Sequence, residues 1–237
     1  MDGPRLSPVV IHALLAATLA LTAVPAAPAA AAAAPKVDCA RLKCLALTFD
    51  DGPSEHTPTL LKVLRKEGAK ATFFLVAKQV ERRAALARQE SEEGHAIGDH
   101  TYSHPSLPTL NDNAILEELR TTQALIEEAT GRRPTMFRPP YGHTDDRVLR
   151  MADQQDLAEI LWTGTTLDWK LRDAKKIKAT VLKLAKRDGV ILMHDTVPQT
   201  VKAMPEIIKE LKKQGYTLVT VPTLLRGKGP ESGVSYF

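Results

Sequence analysis

Two carboxylates stand side by side in Thr48-Phe49-Asp50-Asp51-Gly52-Pro53, between an apolar run and a Gly-Pro turn. Adjacent strand residues point to opposite faces, so both acids reach one cavity only where the strand end is kinked. Confined together they would repel, and one would keep its proton unless a cation held both ionised. Taken alone, Asp-Gly-Pro is also an ordinary solvated turn. Further on, His100-Thr101-Tyr102-Ser103-His104 sets two imidazoles four residues apart. Such a pair on a helical turn can converge on one metal. No Glu follows His100, so the zinc-peptidase form of that spacing is absent. Two His and one Asp make a three-ligand set that leaves a position for water, the arrangement of catalytic zinc.

Three more constellations follow short apolar runs. In Arg138-Pro139-Pro140-Tyr141-Gly142 the prolines stiffen the loop and fix where the guanidinium and backbone N–H groups point. Asp168-Trp169 and Ile191-Leu192-Met193-His194-Asp195 complete the set. By itself His194 reads as a satisfied core histidine. Five polar groups, each at the carboxyl end of a strand, read instead as an α/β active site.

The elements that must position them alternate in kind. Strands are expected at 45–49, 71–76, 96–98, 135–137, 158–162, 190–193 and 216–221, and helices at 57–67, 80–93, 111–130, 145–154, 174–186 and 201–214. In the 111–130 helix Ile115, Leu119 and Ile126 recur at core spacing, with Thr122 the one polar member of the stripe, and Gly131 closes it. No linker or repeat interrupts the run. The fold class is therefore α/β, a single domain of about seven parallel strands with barrel-like closure, over 36–226. The Gly-containing tail, 227–237, is expected to fray.

Bulk properties narrow the setting. Arg5 precedes an apolar run from Val9 to Val24, followed by small residues from Pro25 to Pro35 with Ala-x-Ala options. This predicts an export signal over 1–35, removed to leave a secreted protein with no stable membrane association. The run to Ala34 nearly spans a bilayer, but Pro25, Pro28, the excess of Ala and the lack of a following basic cluster favour a cleaved signal over an anchor. Cys39 and Cys44 are the only cysteines, and in an oxidising compartment they read as a small disulfide loop. The net charge of +4 comes from Lys and Arg scattered over helix-like segments, which reads as solvated faces and not as a nucleic-acid surface. No Gly-x-Ser-x-Gly elbow or P-loop occurs. Nothing signals an oligomer, so a monomer is the default. His56 and His143 read as solvated loop residues and His95 as a turn residue.

The order Asp-Asp-Gly-Pro, His-Thr-x-x-His, Arg-Pro-Pro-Tyr-Gly, Asp-Trp and Leu-x-His resembles that of the polysaccharide deacetylases, carbohydrate esterase family 4 with its NodB homology domain. The resemblance runs from about Cys44 to Leu225. It implies a distorted (β/α) barrel with fewer than eight regular strands and a divalent metal, usually Zn2+, with Co2+ another option. By position it makes Asp51, His100 and His104 the metal ligands and Asp50 the general base, oriented by Arg138. The Tyr141 N–H would stabilise the oxyanion and its side chain would touch substrate. His194 would be the general acid, tuned by Asp168, with Trp169 and Leu192 lining the acetyl pocket. Many relatives carry an acid three positions before the Asp-Trp aspartate; here that position is Thr165, which bears on the substrate groove more than on catalysis.

The implied reaction is hydrolysis of N-acetyl groups on GlcNAc-containing polysaccharide, chitin or peptidoglycan. The alternatives are an O-acetyl esterase acting on acetylated xylan through the same site, and a non-catalytic glycan-binding module. The module reading expects a missing ligand or base, and Asp50, Asp51, His100, His104 and His194 are all present.

Overall fold

The computed structural model describes residues 37–225 and 230–237, with Met1 and Gly3 alone of what precedes them. The expected leader over 1–35 otherwise lies outside the described residues, as does Gly227 to Gly229 of the tail.

In chain order the elements are β1 (Lys43–Gly52), α1 (Thr57–Lys66), β2 (Thr72–Leu75), α2 (Ala77–Glu92), β3 (Ala96–Asp99), α3 (Asp112–Thr130), β4 (Met136–Phe137), α4 (Asp146–Asp153) and β5 (Ala158–Ile160). They continue with β6 (Gly164–Thr165), α5 (Asp168–Leu171), α6 (Ala174–Leu184), β7 (Gly189–His194), α7 (Pro198–Lys213), β8 (Tyr216–Val219), α8 (Val221–Leu224) and β9 (Ser235–Tyr236). All seven expected strands are present.

The sheet is organised around β1. One of its edges pairs with β7, Leu45 to Asp50 against Gly189 to His194. Along the rest of the strand, Lys43 to Ala46 pair with β8 and Thr48 to Gly52 with β2. Both faces of β1 are also buried, Leu45 and Leu47 in one cluster and Cys44 and Ala46 in another, which is why Cys44 to Leu47 is an unbroken apolar run rather than an alternating one. The path runs β6-β7-β1-β2-β3-β4-β5-β9, and every pairing is parallel. Its two end strands, β6 and β9, do not pair, so the curled sheet with its surrounding helices is an open half-barrel.

Local chemistry sets the element ends. Asn111 caps α3, its side chain accepting from the Ala114 N–H at 2.9 Å. Thr122 is buried with Ile115, Leu119 and Ile126 because its hydroxyl donates to the Glu118 carbonyl at 2.7 Å. Gly98 of β3 lies against the Phe74 ring, where a Cβ would come within 2.4 Å of a ring carbon. Cys39 and Cys44 are disulfide-bonded and both buried, tying the segment before β1 into the core.

Two short strands add to the expected seven. β6 is only two residues long, too short to show as a periodic run. Of the tail expected to fray, the described residues 230–237 include β9. Ser235–Tyr236 pair with β5, the Ser235 hydroxyl donates to buried Glu159 at 2.8 Å, and the Ser232 hydroxyl donates to Asp153 at 2.8 Å. His95 lies at the turn between α2 and β3 as expected, with more behind it than a turn needs. It is buried, its Nδ1 accepts from the Ala71 N–H at 3.2 Å, and its ring meets Phe73 edge-on.

Candidate active site

The carboxyl ends of β1, β3, β4 and β7 converge on one groove of about 440 Å³. Asp50, Asp51, His100, His104, Tyr141, Trp169, Leu192 and His194 line it, while Arg138 and Asp168 lie buried behind. Pro139 of the Arg-Pro-Pro-Tyr-Gly loop lines it too; sequence reasoning did not single out two other lining residues, Trp162 and Leu167, and it noted Thr165 only as a departure.

A bulge makes the two aspartates neighbours in space. Asp50 pairs with Phe74 and Gly52 with Leu75, so Asp51 is an extra residue with no partner on β2. Its backbone is left-handed, φ 71°. The expected kink is thus one inserted residue. The two histidines meet differently from the expected helical turn. The Asp99 carboxylate accepts the Thr101 N–H at 2.7 Å, the Thr101 hydroxyl accepts the His104 N–H at 3.0 Å, and both Thr101 and His104 are left-handed. The loop is irregular and built by side-chain bonds. Tyr141 and Leu167 are left-handed too. Five non-glycine residues of this kind around one groove, each costing about 1–3 kcal/mol, mark a constrained functional site.

Asp51, His100 and His104 each offer a ligand atom, and the three atoms lie within 4.8 Å of one another. The Nε2 atoms of His104 and His100 stand 3.3 and 3.4 Å from Asp51 Oδ1. That oxygen is buried and makes no hydrogen bond. His100 Nδ1 is 2.7 Å from the Arg138 carbonyl, which requires the ring proton on Nδ1 and leaves the Nε2 lone pair facing Asp51. A buried orphan oxygen and an imidazole fixed in the ligating tautomer fit a divalent cation with a His/His/Asp donor set. Burial raises Asp51, but the adjacent imidazoles of His100, His194 and His104 outweigh it and hold the carboxyl at about 2. Burial lowers His100, yet the charges of Asp50 and Asp51 carry it above its ordinary value. His104 is lowered, by burial first and then by His100.

Asp50 belongs to a second network. Arg138 Nη1 donates to Asp50 Oδ1 and to Thr48 Oγ1, both at 2.8 Å, while Nε and Nη2 donate to the Ile160 and Leu161 carbonyls at 2.9 and 2.7 Å. The guanidinium also stacks 4.1 Å from the Phe74 ring centroid. Four hydrogen bonds hold a fully buried cation against one oxygen of Asp50, and the other oxygen lies 3.8 Å from His100 Nε2.

The third network carries His194. Its Nδ1 is 2.8 Å from Asp168 Oδ1, and its backbone N–H donates to Oδ2 at 2.8 Å. Thr200, which sequence reasoning missed, adds its hydroxyl to Oδ2 at 2.6 Å. Nε2 points across the groove to within 3.9 Å of Asp51 Oδ2. Burial opposes the charged imidazole, but the Asp168 hydrogen bond and charge, helped by Asp50 and Asp51, raise it to about 9. Asp168 is lowered in turn, the His194 hydrogen bond and charge overcoming burial.

The walls are apolar and aromatic. Trp169 and Tyr141 are 52% and 63% exposed, large areas for aromatic side chains to leave in water without a ligand to cover. The Tyr141 ring is held between His104 and His143, centroids 4.7 and 5.4 Å away, and His143 Nδ1 lies 2.9 Å from the Ser106 hydroxyl. His143 is the exposed loop residue expected from sequence, and its ring also stands beside Tyr141 at the groove wall. His56 precedes α1 beside Glu55 and makes no side-chain capping bond.

A parallel α/β half-barrel with a His/His/Asp cluster at its strand ends defines the class by architecture, and comparison with known proteins gives the family. The family model of polysaccharide deacetylase matches residues 38–160. The chain is 37% identical over 205 residues to the peptidoglycan-N-acetylglucosamine deacetylase PgdA of Listeria monocytogenes, an alignment covering 86% of this chain and 43% of that protein. It is 40% identical over 183 residues to the peptidoglycan-N-acetylmuramic acid deacetylase PdaC of Bacillus subtilis, covering 77% and 38%. A solved structure of a T48 deacetylase with substrate superposes with a TM-score of 0.81 at 40% identity, covering 85% of this chain and all of that one. The chain therefore belongs to the polysaccharide deacetylase family. It spans about two fifths of the two curated relatives' length.

Proposed function

We propose that this protein is a secreted, metal-dependent hydrolase that removes N-acetyl groups from GlcNAc or MurNAc residues of peptidoglycan. One observation carries the reading: Asp50, braced by Arg138, and His194, braced by Asp168, face the Asp51/His100/His104 cluster from two sides. The cluster fits Zn2+ or a similar divalent ion. When bound, such an ion supplies positive charge that polarises a carbonyl and acidifies water.

The chain's own residues do the rest. With Oδ1 engaged by Arg138, Asp50 has one oxygen to take the proton of the attacking water. His194 carries a proton at neutral pH and gives it to the departing amine, which leaves poorly otherwise. Asp168 holds His194 Nδ1, so the proton delivered is the one on Nε2. Trp169, Leu192 and Tyr141 offer the apolar surface against which an acetyl methyl and a sugar face can pack.

Peptidoglycan is favoured among N-acetylated glycans by what the two curated relatives are named for acting on. Export is supported by the apolar run from Val9 to Val24 and by the disulfide, a bond of oxidising compartments.

The test is acetate release from peptidoglycan, chitooligosaccharide and acetylated xylan, by wild type and Asp50→Asn. Release from the first, abolished in the variant, is expected. Release from xylan alone makes the chain an O-acetyl esterase, and release from none, with zinc bound, makes it a glycan-binding module.

A further inference from the structure

Asp195 follows His194, yet its side chain points away from the groove and is fully buried. Its Oδ2 accepts a hydrogen bond from the hydroxyl of Thr57, the first residue of α1. The Thr57 hydroxyl in turn accepts the Ser54 N–H at 2.7 Å, and the Ser54 hydroxyl donates to the Asp195 carbonyl at 2.9 Å. Both Ser54 and Thr57 are buried. The carboxyl also lies directly on Gly52: a Cβ there would stand 2.7 Å from Oδ1 and 2.9 Å from Oδ2. Residue 195 therefore grips the chain at 52, 54 and 57, the whole turn that follows Asp51.

This is an expensive way to fill space. Oδ1 makes no hydrogen bond, and a buried polar atom left so costs about 1–3 kcal/mol that an apolar side chain would avoid. The grip joins two segments that the β1–β7 ladder does not join. The ladder between β1 and β7 ends at Asp50 and His194, and Asp51 bulges out one residue beyond it with left-handed backbone. Past the bulge β1 is held only on its β2 side, at Gly52 and Leu75, so no pair of the β1–β7 ladder fixes where Asp51 stands relative to His194.

We propose that Asp195 and Thr57 form a latch that fixes the Asp51 turn against the end of β7, so that the metal-ligand carboxylate and the His194 imidazole keep their spacing. Both are positioning residues, since neither touches the groove. The inference rests on the function proposed above, in which Asp51 is a ligand and His194 the acid.

Zinc affinity of the purified chain, read by competition with a chromophoric chelator, tests the latch apart from turnover. Thr57→Val keeps the shape and removes both hydrogen bonds; it should weaken zinc binding about ten- to hundred-fold, as loss of support behind a ligand does. Its kcat should fall while KM changes less than about two-fold, because the groove walls are untouched. Thr57→Ser, which keeps the hydroxyl, should bind zinc like wild type even if it melts at a lower temperature. Asp195→Asn keeps an oxygen acceptor and should lie between them. Wild-type zinc affinity and kcat in a folded Thr57→Val would overturn the latch, as would equal losses in Thr57→Ser and Thr57→Val. A wild type that binds no zinc and releases no acetate would overturn the proposed function and take the latch with it.

Discussion

Arg138 and Asp50, 88 residues apart in sequence, form a buried ion pair with Nη1 2.8 Å from Oδ1 and neither side chain more than 3% exposed. Burial lowers the arginine from its ordinary value, with Asp50 opposing, but a guanidinium starts so high that it remains charged. Removing one partner of such a pair leaves an unpaired buried charge, at a cost of about 3–5 kcal/mol. Arg138→Met should lose about that much stability in urea titrations and nearly all acetate release. Arg138→Lys should fail to restore activity, since one ammonium cannot reproduce a fork that reaches Asp50, Thr48, Ile160 and Leu161.

His194 sets the basic limb of activity. Its folded-state value of about 9 keeps it protonated through neutral pH, so the pH–rate profile for amide hydrolysis should fall as pH rises toward that value. A divalent ion on Asp51 would draw the limb lower by repelling the imidazolium. Asp168→Asn removes the charge that raises His194, so its limb should lie at least ~1 pH unit below that of wild type. Identical limbs in the two proteins would show that Asp168 does not tune the acid. The same shift stabilises the fold. Because the pKa is raised from 6.5, that contribution is full below about pH 6.5 and is lost as pH climbs through about 9. His194→Gln should flatten that part of the stability profile.

An alkoxide leaves more readily than an amine, so the need for His194 depends on the bond cleaved. His194→Ala should lose far more activity on an N-acetyl glycan than on an aryl acetate ester. Equal losses on both would remove proton delivery from its role.

Much of this site was legible because its chemistry sits at strand ends in short, distinctive strings. Asp50-Asp51, His100 with His104, Arg138 and His194 were each readable from residue type and position. The network behind them was not. Thr48, Thr57 and Thr200 are common residues whose partners lie 90, 138 and 32 positions away, and only the folded sheet brings them together. The helical-turn expectation for His100 and His104 failed because Asp99 and Thr101 bind the backbone locally and compete with helix formation. β9 was missed because two residues carry no period, and they are held by pairing with β5 and by the Ser235 bond to Glu159, far away in sequence.

The disulfide is remote from the groove and should act on stability alone. Closing so short a loop is worth about 2 kcal/mol by chain entropy. Replacing Cys39 and Cys44 together by Ser should lower stability by about that amount, with zinc affinity and kcat unchanged. A changed zinc affinity would mean that the start of β1 communicates with its far end.

Trp169 leaves half its surface in water beside the reacting groups. Trp169→Ala should raise KM for an N-acetylated glycan by about five- to thirty-fold, the effect of losing about 1–2 kcal/mol of apolar contact. A kcat loss without a KM change would instead place the indole against the transition state.

The most direct test of the whole account is acetate release from peptidoglycan by wild type and Asp51→Ala after chelation, with zinc then added back. Wild type should be silent when chelated and recover fully with one equivalent of zinc, while Asp51→Ala stays silent at the same concentration. Undiminished release from chelated wild type, or an Asp51→Ala that zinc restores equally well, would contradict a metal centre built on Asp51, His100 and His104.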